Sequence, residues 1–363
     1  MQALTLGRAP GTIEVRTDVP VPRPGDNEVF VEILYAGGNP PDTYVLDPVR
    51  SAAYQHPDNV MGSDFAGIVR ESNVSHIAVG EKVCGWLPGN ATTRGSFAQY
   101  AVCDADLVIR CPDDIPMEQL AALPFSFFTA LHGLVCELNV DLQSGNKGPA
   151  VLVWGAGTAC GQYAVQLLVQ AKVPVVAVSA QSSLESLQRK GVSAAYPRED
   201  IPQTCAAIRE SWPDLELALD CFGSTETVDA CASVLRRGHM HVLVPSQPSV
   251  SRPEVKVTFA LIHSMLGRPT DVLGMLPVPP TPEKLAADYK VAVSYASFDR
   301  GHLYRLLRQG AIQPLPVQIW PLDGTAEADD SLSRLSGIKS AIEQAAAGQT
   351  PSGKIVHRVG TST

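Results

Sequence analysis

The sequence predicts an α/β chain in two parts, a β-rich first part and a second part built on a doubly wound parallel sheet. Three observations carry this. Residues 1 to about 117 read as short strands separated by turn chemistry, strands and helices alternate from about 150 onward, and "VLVWGAGTACGQYAVQLLV" (151–169) joins an apolar strand to a helix through glycines. Many short strands suit a barrel-like β domain. Alternating β and α segments predict a parallel sheet covered by helices. At 363 residues the chain exceeds one ordinary core and suits about two domains.

Taken in order, "TIEVRTDVPVPRPGDNEVFVEILYAG" (12–37) alternates apolar and polar positions around a Pro-Gly-Asp turn, and "FAGIVRESN" (65–73) and "EKVCGW" (81–86) continue the pattern. "GSFAQYAVCDADLVIRCP" (95–112) reads as two more short strands. Helical spacing begins at "MEQLAALPFSFFTALHGLV" (117–135), with Pro124 as an internal break. After it come "AVLVWG" and a helix at 161–171, "VPVVAVSA" and a helix at 183–190, "LELALDCFG" and a helix at 225–236, then the strands "HMHVLVP" and "VKVTFALI". Residues 248–290 are Pro-rich and read as an irregular excursion; a helix "DRGHLYRLLRQG" follows, and "SGKIVHRV" (352–359) reads as a strand returning to the first domain. These features place one domain at 1–117, completed by 310–363, and a second at 118–309.

Composition narrows the function classes. Hydrophobic residues at 45% and charged residues at 18% describe a folded globular chain. A net charge of −9 supplies no basic face for phosphates and argues against a nucleic-acid partner. No unbroken apolar run reaches the roughly 18 residues that span a bilayer, and "MQALTLGRAP" lacks the layout of a signal peptide, so a cytoplasmic protein with no membrane partner is expected. Eight cysteines without a C-x-x-C pair are expected as reduced, mostly buried thiols.

The glycines of the strand-to-helix turn, Gly155, Gly157 and Gly161, are spaced G-x-G-x-x-x-G, one residue longer than the strict dinucleotide fingerprint. Gly155 ends the strand, Gly157 lets the backbone bend and Gly161 permits close helix–strand packing. Small residues Ala156, Thr158, Ala159 and Cys160 leave room for a pyrophosphate at the helix N-terminus. The next strand ends at Ser179 without the acid that holds both ribose hydroxyls of NAD. Ser182 and Ser183 are placed to donate to a 2′-phosphate, with Arg189, Lys190 or Arg198 adding charge, and NADPH is expected over NADH.

The order of parts resembles the medium-chain dehydrogenase/reductase superfamily, through "NPPDTY" (39–44), "MGSDFAGIV" (61–69), "GSFAQYAV" (95–102), "LAALPFSFFTALHGL" (120–134) and the glycine turn. The resemblance implies a GroES-like catalytic domain and a Rossmann-type NADPH-binding domain. Zinc alcohol dehydrogenases of that superfamily carry a ligand Cys in the first motif and G-H-E in the second, where this chain has Asn39 and Gly62-Ser63-Asp64; the four-cysteine structural lobe is also missing. Asn and Ser are poor zinc ligands, so no metal is expected. His239 and His241 share a strand face without a third ligand and read as ordinary strand residues. Within the zinc-free branch the chain is similar to the trans-acting enoyl reductases of fungal polyketide pathways, with "LPFSFFTA", "GTAC" and "ALDC" (218–221) as matching strings. It departs at Thr158, where quinone oxidoreductases have glycine, and at Gln188, where these reductases often have a lysine for the 2′-phosphate.

The resemblance implies site residues. Tyr44, Thr129 and Asn39 are the catalytic candidates, the two hydroxyls as donors to an enolate oxygen or as proton source and Asn39 as an ordering residue. Each hydroxyl also has a structural reading, Tyr44 as an aromatic packing the cofactor ring and Thr129 as a helix hydroxyl bonded to its own backbone. Asp42, which also reads as tying the adjacent helical turn, and Thr43 are assigned to the cofactor, as are Ser179, Ala180 and Gln181 beside the serines above. Tyr196, Leu243, Val244, Val356 and His357 complete that set. Phe125, Phe127, Phe128 and Ala130 are expected to form an apolar wall for an acyl chain. The implied partner is a polyketide synthase, free-standing or fused to a peptide synthetase, and the chain is expected as a monomer. The competing functions are a quinone or enone reductase acting on small free substrates, and a nucleotide-binding protein without catalysis.

Overall fold

In the computed structural model, residues 1–47, 56–145, 148–245, 249, 252–270, 279–320, 330–349 and 353–360 are described. The chain divides into two units, the first comprising Met1–Phe125, Gly267–Pro282 and Ala292–Thr363, the second Ser126–Leu266 and Glu283–Val291. The expected boundaries at 117 and 309 differ from this: residues 267–282 and 292–309 group with the first unit, because Phe298 enters its core and its N–H bonds to the Val108 carbonyl.

The first unit is a curved antiparallel β structure. A hairpin of β1 (Ala3–Leu6) and β2 (Ile13–Arg16) adjoins a sheet of β3 (Glu28–Gly37), β4 (Asp64–Ser72), β5 (Lys82–Trp86), β6 (Tyr100–Asp104) and β7 (Ile109–Arg110). Alternation of apolar and polar positions is clean where one face is solvated; β3 is buried along most of its length and reads as a near-continuous apolar run. The late strands β14 (Val317–Ile319) and β15 (Lys354–Arg358) extend this sheet, with β15 antiparallel to β3 through Val356 opposite Gly37. Leu4, Val31, Ile33, Phe65, Val83 and Phe97 centre its core.

The second unit carries a parallel sheet in the order β10 (Ala194–Pro197), β9 (Val175–Ser179), β8 (Val151–Trp154), β11 (Leu217–Asp220), β12 (Gly238–Val242), β13 (Val255–Phe259). The chain winds outward from β8 to β10, then returns to the far side of β8 and winds the other way. The switch point lies between β8 and β11, where open α/β sheets bind ligands beyond the strand carboxyl ends. The central strands are wholly buried, as expected when both sheet faces are covered.

The short helix α1 (Pro41–Tyr44) precedes β4, and α2 (Met117–Leu120) and α3 (Pro124–Leu131) follow β7. Next come α4 (Ala159–Gln170) after β8, α5 (Leu184–Arg189), α6 (Ile201–Ser211) and α7 (Thr225–Val234). The last three are α8 (Pro282–Tyr295), α9 (His302–Arg308) and α10 (Ser331–Ala346). Four elements lie outside the sequence reading: the edge strand β10, α6 after it, α10 within the tail, and α8, whose start falls in the irregular 248–290 stretch. Their signals were present. Asp200 and Asp330 cap their helices by accepting from the Gln203 and Ser333 amides, and Pro202 sits in the first turn of α6. Met117–Glu137, read against unbroken apolar runs, is in fact a 21-residue helical stretch long and apolar enough to cross a bilayer. Most of it is buried in the protein, as a core helix.

Candidate active site

The glycine turn is built by backbone limits rather than by its spacing. Gly155 has φ of +77°, which a side chain would strain. Among the three glycines the positive φ is at Gly155 and not at Gly157, where the bend was expected; Gly157 is required because a Cβ there would lie 2.5 Å from Ser179 Oγ. A Cβ at Gly161 would lie 2.2 Å from the Gly155 carbonyl oxygen, so glycine alone lets α4 start this close to β8. Thr158 caps α4, its hydroxyl accepting from the Gly161 amide at 3.1 Å. Ala159 and Cys160 open the helix and stay partly exposed.

The facing rim comes from the end of β11. Asp220 is fully buried and folds the following turn: Oδ1 accepts from the Phe222 and Gly223 amides at 2.9 and 3.1 Å, and Thr227 Oγ1 donates to Oδ2 at 2.7 Å. Burial pushes its carboxyl upward against these bonds. This turn leaves Phe222 half exposed and sets its amide 3.5 Å from where a Gly155 Cβ would stand. The turns after β8 and β11 thus lie side by side at the switch point. Sequence reasoning quoted this acid as part of a string and gave it no role.

At the end of β9, Ser179 is buried, Gln181 and Ser182 are exposed, and Ala180, Ser183 and Tyr196 are partly exposed. The strand itself ends without an acid, as expected. An acid nevertheless reaches this place from the next loop, since Glu199 Oε1 accepts from the Gln181 amide at 3.0 Å, a bond that lowers the Glu199 pKa. Lys190, expected to add charge for a 2′-phosphate, is half buried and donates to Gln162 Oε1 at 2.9 Å, while Gln162 Nε2 donates to the Gly157 carbonyl. Arg189 pairs with Glu185 in the open. Glu199→Gln should therefore raise the preference for NADPH over NADH by a factor of about 3 to 10, because it removes a screened negative charge without removing the acceptor. Comparing Kd for the two nucleotides before and after the substitution checks it. Leu243 and Val244, partly exposed, follow β12 in the same sheet.

The first unit holds a second constellation, around Asn39. Its amide Nδ2 donates to Asp64 Oδ2 at 3.0 Å and to the Gly37 carbonyl at 3.2 Å, and its Oδ1 accepts from Lys354 Nζ at 2.6 Å. Lys354 also donates to the Gly38 carbonyl at 3.0 Å and lies 3.5 Å from Asp64 Oδ2. Asp64 is fully buried, and its Oδ1 accepts from the Phe125 amide at 2.5 Å, a carboxylate at the start of α3. Asp42 lies beneath, with Oδ2 accepting from the Asn39 amide at 2.8 Å and Oδ1 from Asn90 Nδ2 at 3.4 Å. Burial pushes Asp42 up to about 7, and it pushes Asp64 upward too, with Lys354 pulling both back. Thr43 donates to the Pro40 carbonyl at 2.9 Å, and Tyr44, partly exposed, ends α1.

Several expected assignments change here. Asp42, listed for the cofactor, is buried and fully engaged with Asn39 and Asn90, so it ties its own turn. Val356 is buried in β15 and His357 beside it, with Nδ1 bonded to the Trp320 carbonyl at 2.8 Å and burial lowering its pKa to about 4. Neither side chain offers a surface. Phe127, Phe128 and Ala130 have no exposed area; Phe127 packs edge-on to Phe128 at 5.3 Å and to Tyr163 at 6.0 Å. The apolar wall narrows to Phe125, partly exposed, whose ring meets Trp86 edge-on at 6.1 Å. Thr129 is also partly exposed. Helical period explains part of this: 125 and 129 share a face, and 127 and 130 lie on the other side of the helix.

The Alcohol dehydrogenase GroES-like domain family matches residues 25–113. Trans-enoyl reductase traG of Penicillium crustosum is 30% identical, over 93% of this chain and 96% of its own length. The chain belongs to the medium-chain dehydrogenase/reductase superfamily. Among solved structures of that fold, CurK enoyl reductase superposes with a TM-score of 0.71 at 18% identity, covering 98% of both chains. The mycobacterial Rv1454c structure complexed with NADPH gives 0.66 at 20% identity, over 98% of this chain and 99% of that one.

For a medium-chain reductase the metal question turns on donor chemistry. Where zinc-dependent members carry their ligand Cys and G-H-E, this chain has Asn39 and Gly62-Ser63-Asp64, and Lys354 lies against Asn39 and Asp64 as the cation. An amide, one carboxylate and an ammonium do not fit zinc. His132, Cys136 and Asp288 are, among the described residues, a group whose ligand atoms lie within 4.8 Å of one another. There too a lysine holds the place: Lys284 Nζ is 2.8 and 2.9 Å from the two Asp288 oxygens and 2.9 Å from Glu137. Burial raises Asp288, but hydrogen bonds from His132, Lys284 and Ser264 outweigh it and hold it near about 2. His239 and His241 share the Thr258 hydroxyl at 2.9 and 3.0 Å, matching their reading as strand residues.

Proposed function

We propose that this reductase is a trans-acting enoyl reductase that uses NADPH to saturate the α,β-double bond of a polyketide thioester carried by a partner polyketide synthase. The end-to-end 30% identity to a trans-enoyl reductase carries this reading. The glycine turn and the Asp220 turn at the switch point support it, because they leave a glycine-walled helix N-terminus suited to a pyrophosphate. The bound reduced nicotinamide supplies the hydride that goes to the β-carbon. Negative charge then grows on the thioester oxygen, and with no Lewis acid in the donor set it must be met by hydroxyl or amide donors. Tyr44 and Thr129 are the side-chain hydroxyls assigned to that role or to protonating the α-carbon, and Asn39, fixed by Gly37, Asp42, Asp64 and Lys354, orders the start of the Tyr44 segment.

Turnover of crotonyl- and 2-methylcrotonyl-pantetheine thioesters, followed by loss of NADPH absorbance, tests the reading. It fails when free quinones or enones are reduced and no enoyl thioester is. Tyr44→Phe and Thr129→Val, assayed separately, should show kcat reduced on the order of 100-fold for the residue that donates, with nucleotide affinity retained. A hydroxyl that only packs will leave kcat within about 3-fold.

A further inference from the structure

Lys354 is absent from every role assigned above, yet it is nine-tenths buried and aimed at Asn39 and Asp64. Its exposure is 8%, and Asn39 and Asp64, at 8% and 0%, close over it. Lysine is almost never buried unless paired. Here one ammonium has three oxygen partners from three different places in the chain: the Gly38 carbonyl after β3, the Asn39 side chain before α1, and Asp64 at the start of β4.

The bond set is directional. An ammonium donates and cannot accept, so it fixes Asn39 with Oδ1 toward Lys354 and Nδ2 toward Asp64 and Gly37. Asp42 holds the Asn39 backbone amide from the other side. The Asn39–Tyr44 segment is therefore anchored at its first residue by both main chain and side chain. Asp64 passes the constraint onward: Oδ2 takes Asn39 and Lys354, and Oδ1 takes the Phe125 amide that opens α3. A charged Asp64 is the stronger acceptor for a helix N-terminus. Burial pushes the Asp64 carboxyl upward, and the Lys354 ammonium beside it pulls the other way.

We propose that Lys354 is a positioning residue for the reduction: a tethered ammonium that orients Asn39 and Asp64 and so sets both the Tyr44 segment and the start of α3. It would act through these neighbours without touching substrate. The inference rests on the enoyl reductase reading for its activity arm and is independent of it for its stability arm.

Three full-length variants test it. Lys354→Met keeps the stem volume and removes the charge; Lys354→Ala leaves a slot that a small alkylammonium fits; Lys354→Arg keeps charge in a planar fork. With Lys354→Met, kcat on crotonyl-pantetheine should fall on the order of 100-fold while NADPH affinity, read by nucleotide fluorescence, is unchanged, and Tm should drop by about 10 °C. Propylammonium should restore both kcat and Tm of Lys354→Ala saturably, and propanol at equal concentration should not. Lys354→Arg should recover less than propylammonium, because a guanidinium does not fit a one-nitrogen slot.

Wild-type kcat in Lys354→Met, or Lys354→Ala that responds equally to propanol and propylammonium, overturns the proposal. Should the neutral variants be unfolded at the assay temperature, the Tm of Lys354→Ala with and without propylammonium still decides, and no rise overturns it. A wild-type protein that turns over no enoyl thioester sinks the functional reading instead, and the amine-dependent Tm then judges Lys354 alone.

Discussion

Gly161→Ala should abolish measurable dinucleotide binding and lower stability by about 3 kcal/mol. The added methyl would sit 2.2 Å from the Gly155 carbonyl oxygen and 2.8 Å from Ala156 Cα, and both are backbone atoms that cannot rotate away. Either α4 moves off β8 or Gly155 leaves its left-handed conformation. Both movements pull the Thr158 hydroxyl from the Gly161 amide and redirect the free amides of the helix start. The expected loss is at least about 100-fold in nucleotide Kd, measured by fluorescence titration at a temperature where circular dichroism shows the variant folded. Gly148→Ala is the control: among the described residues its Cβ would meet Val173 Cγ2 at 3.8 Å, an ordinary contact, and binding should be kept.

The second large effect is on stability against pH. Burial pushes the Asp42 carboxyl up to about 7 in the folded chain, from an ordinary 3.8. Between those two values the folded state binds more protons than the unfolded state, so this group's contribution is full below about pH 4 and is lost as pH rises through about 7. The span corresponds to a loss on the order of 4 kcal/mol. Asp42→Asn has no proton to lose. Its amide oxygen replaces the acceptor for Asn39, and its NH2 group can meet Asn90 Oδ1, a buried atom with no hydrogen-bond partner, once the Asn90 amide turns over. The variant should be close to wild type at pH 4 and more stable by about 10 °C in Tm at pH 8. A difference in Tm that is flat across that range would refute the assignment.

How much of this was legible follows the physics of each part. The strands of the first unit and the alternation in the second were readable because their patterns are local, a two-residue period in one case and a strand, turn and helix in the other. The glycine turn was readable for the same reason. The Asn39 centre was half readable: "NPPDTY" and "MGSDFAGIV" pointed to Asn39 and Asp64, but Lys354 is 315 and 290 positions away from them and looks like one charge in an apolar tail strand. A lysine opening the otherwise apolar run of "GKIVHRV" was the available signal. Glu199 was missed because the acid at the end of β9 was sought on β9, while it arrives from the loop after β10. Phe127 was misassigned because aromatic content was weighed without the helical phase that separates it from Phe125 and Thr129, and Phe128 because its burial is set by packing, which no local pattern shows.

The pairing of β15 with β3 sets the order in which the polypeptide can mature. Gly37 waits for Val356, and the Gly38 carbonyl for Lys354, so the first unit cannot close its sheet until residues 354–358 have been made. The second unit's six strands are all made by residue 259, and its parallel core can condense while the ribosome is still working. During that interval the exposed edge of β3 is the part of the nascent chain most in need of a chaperone.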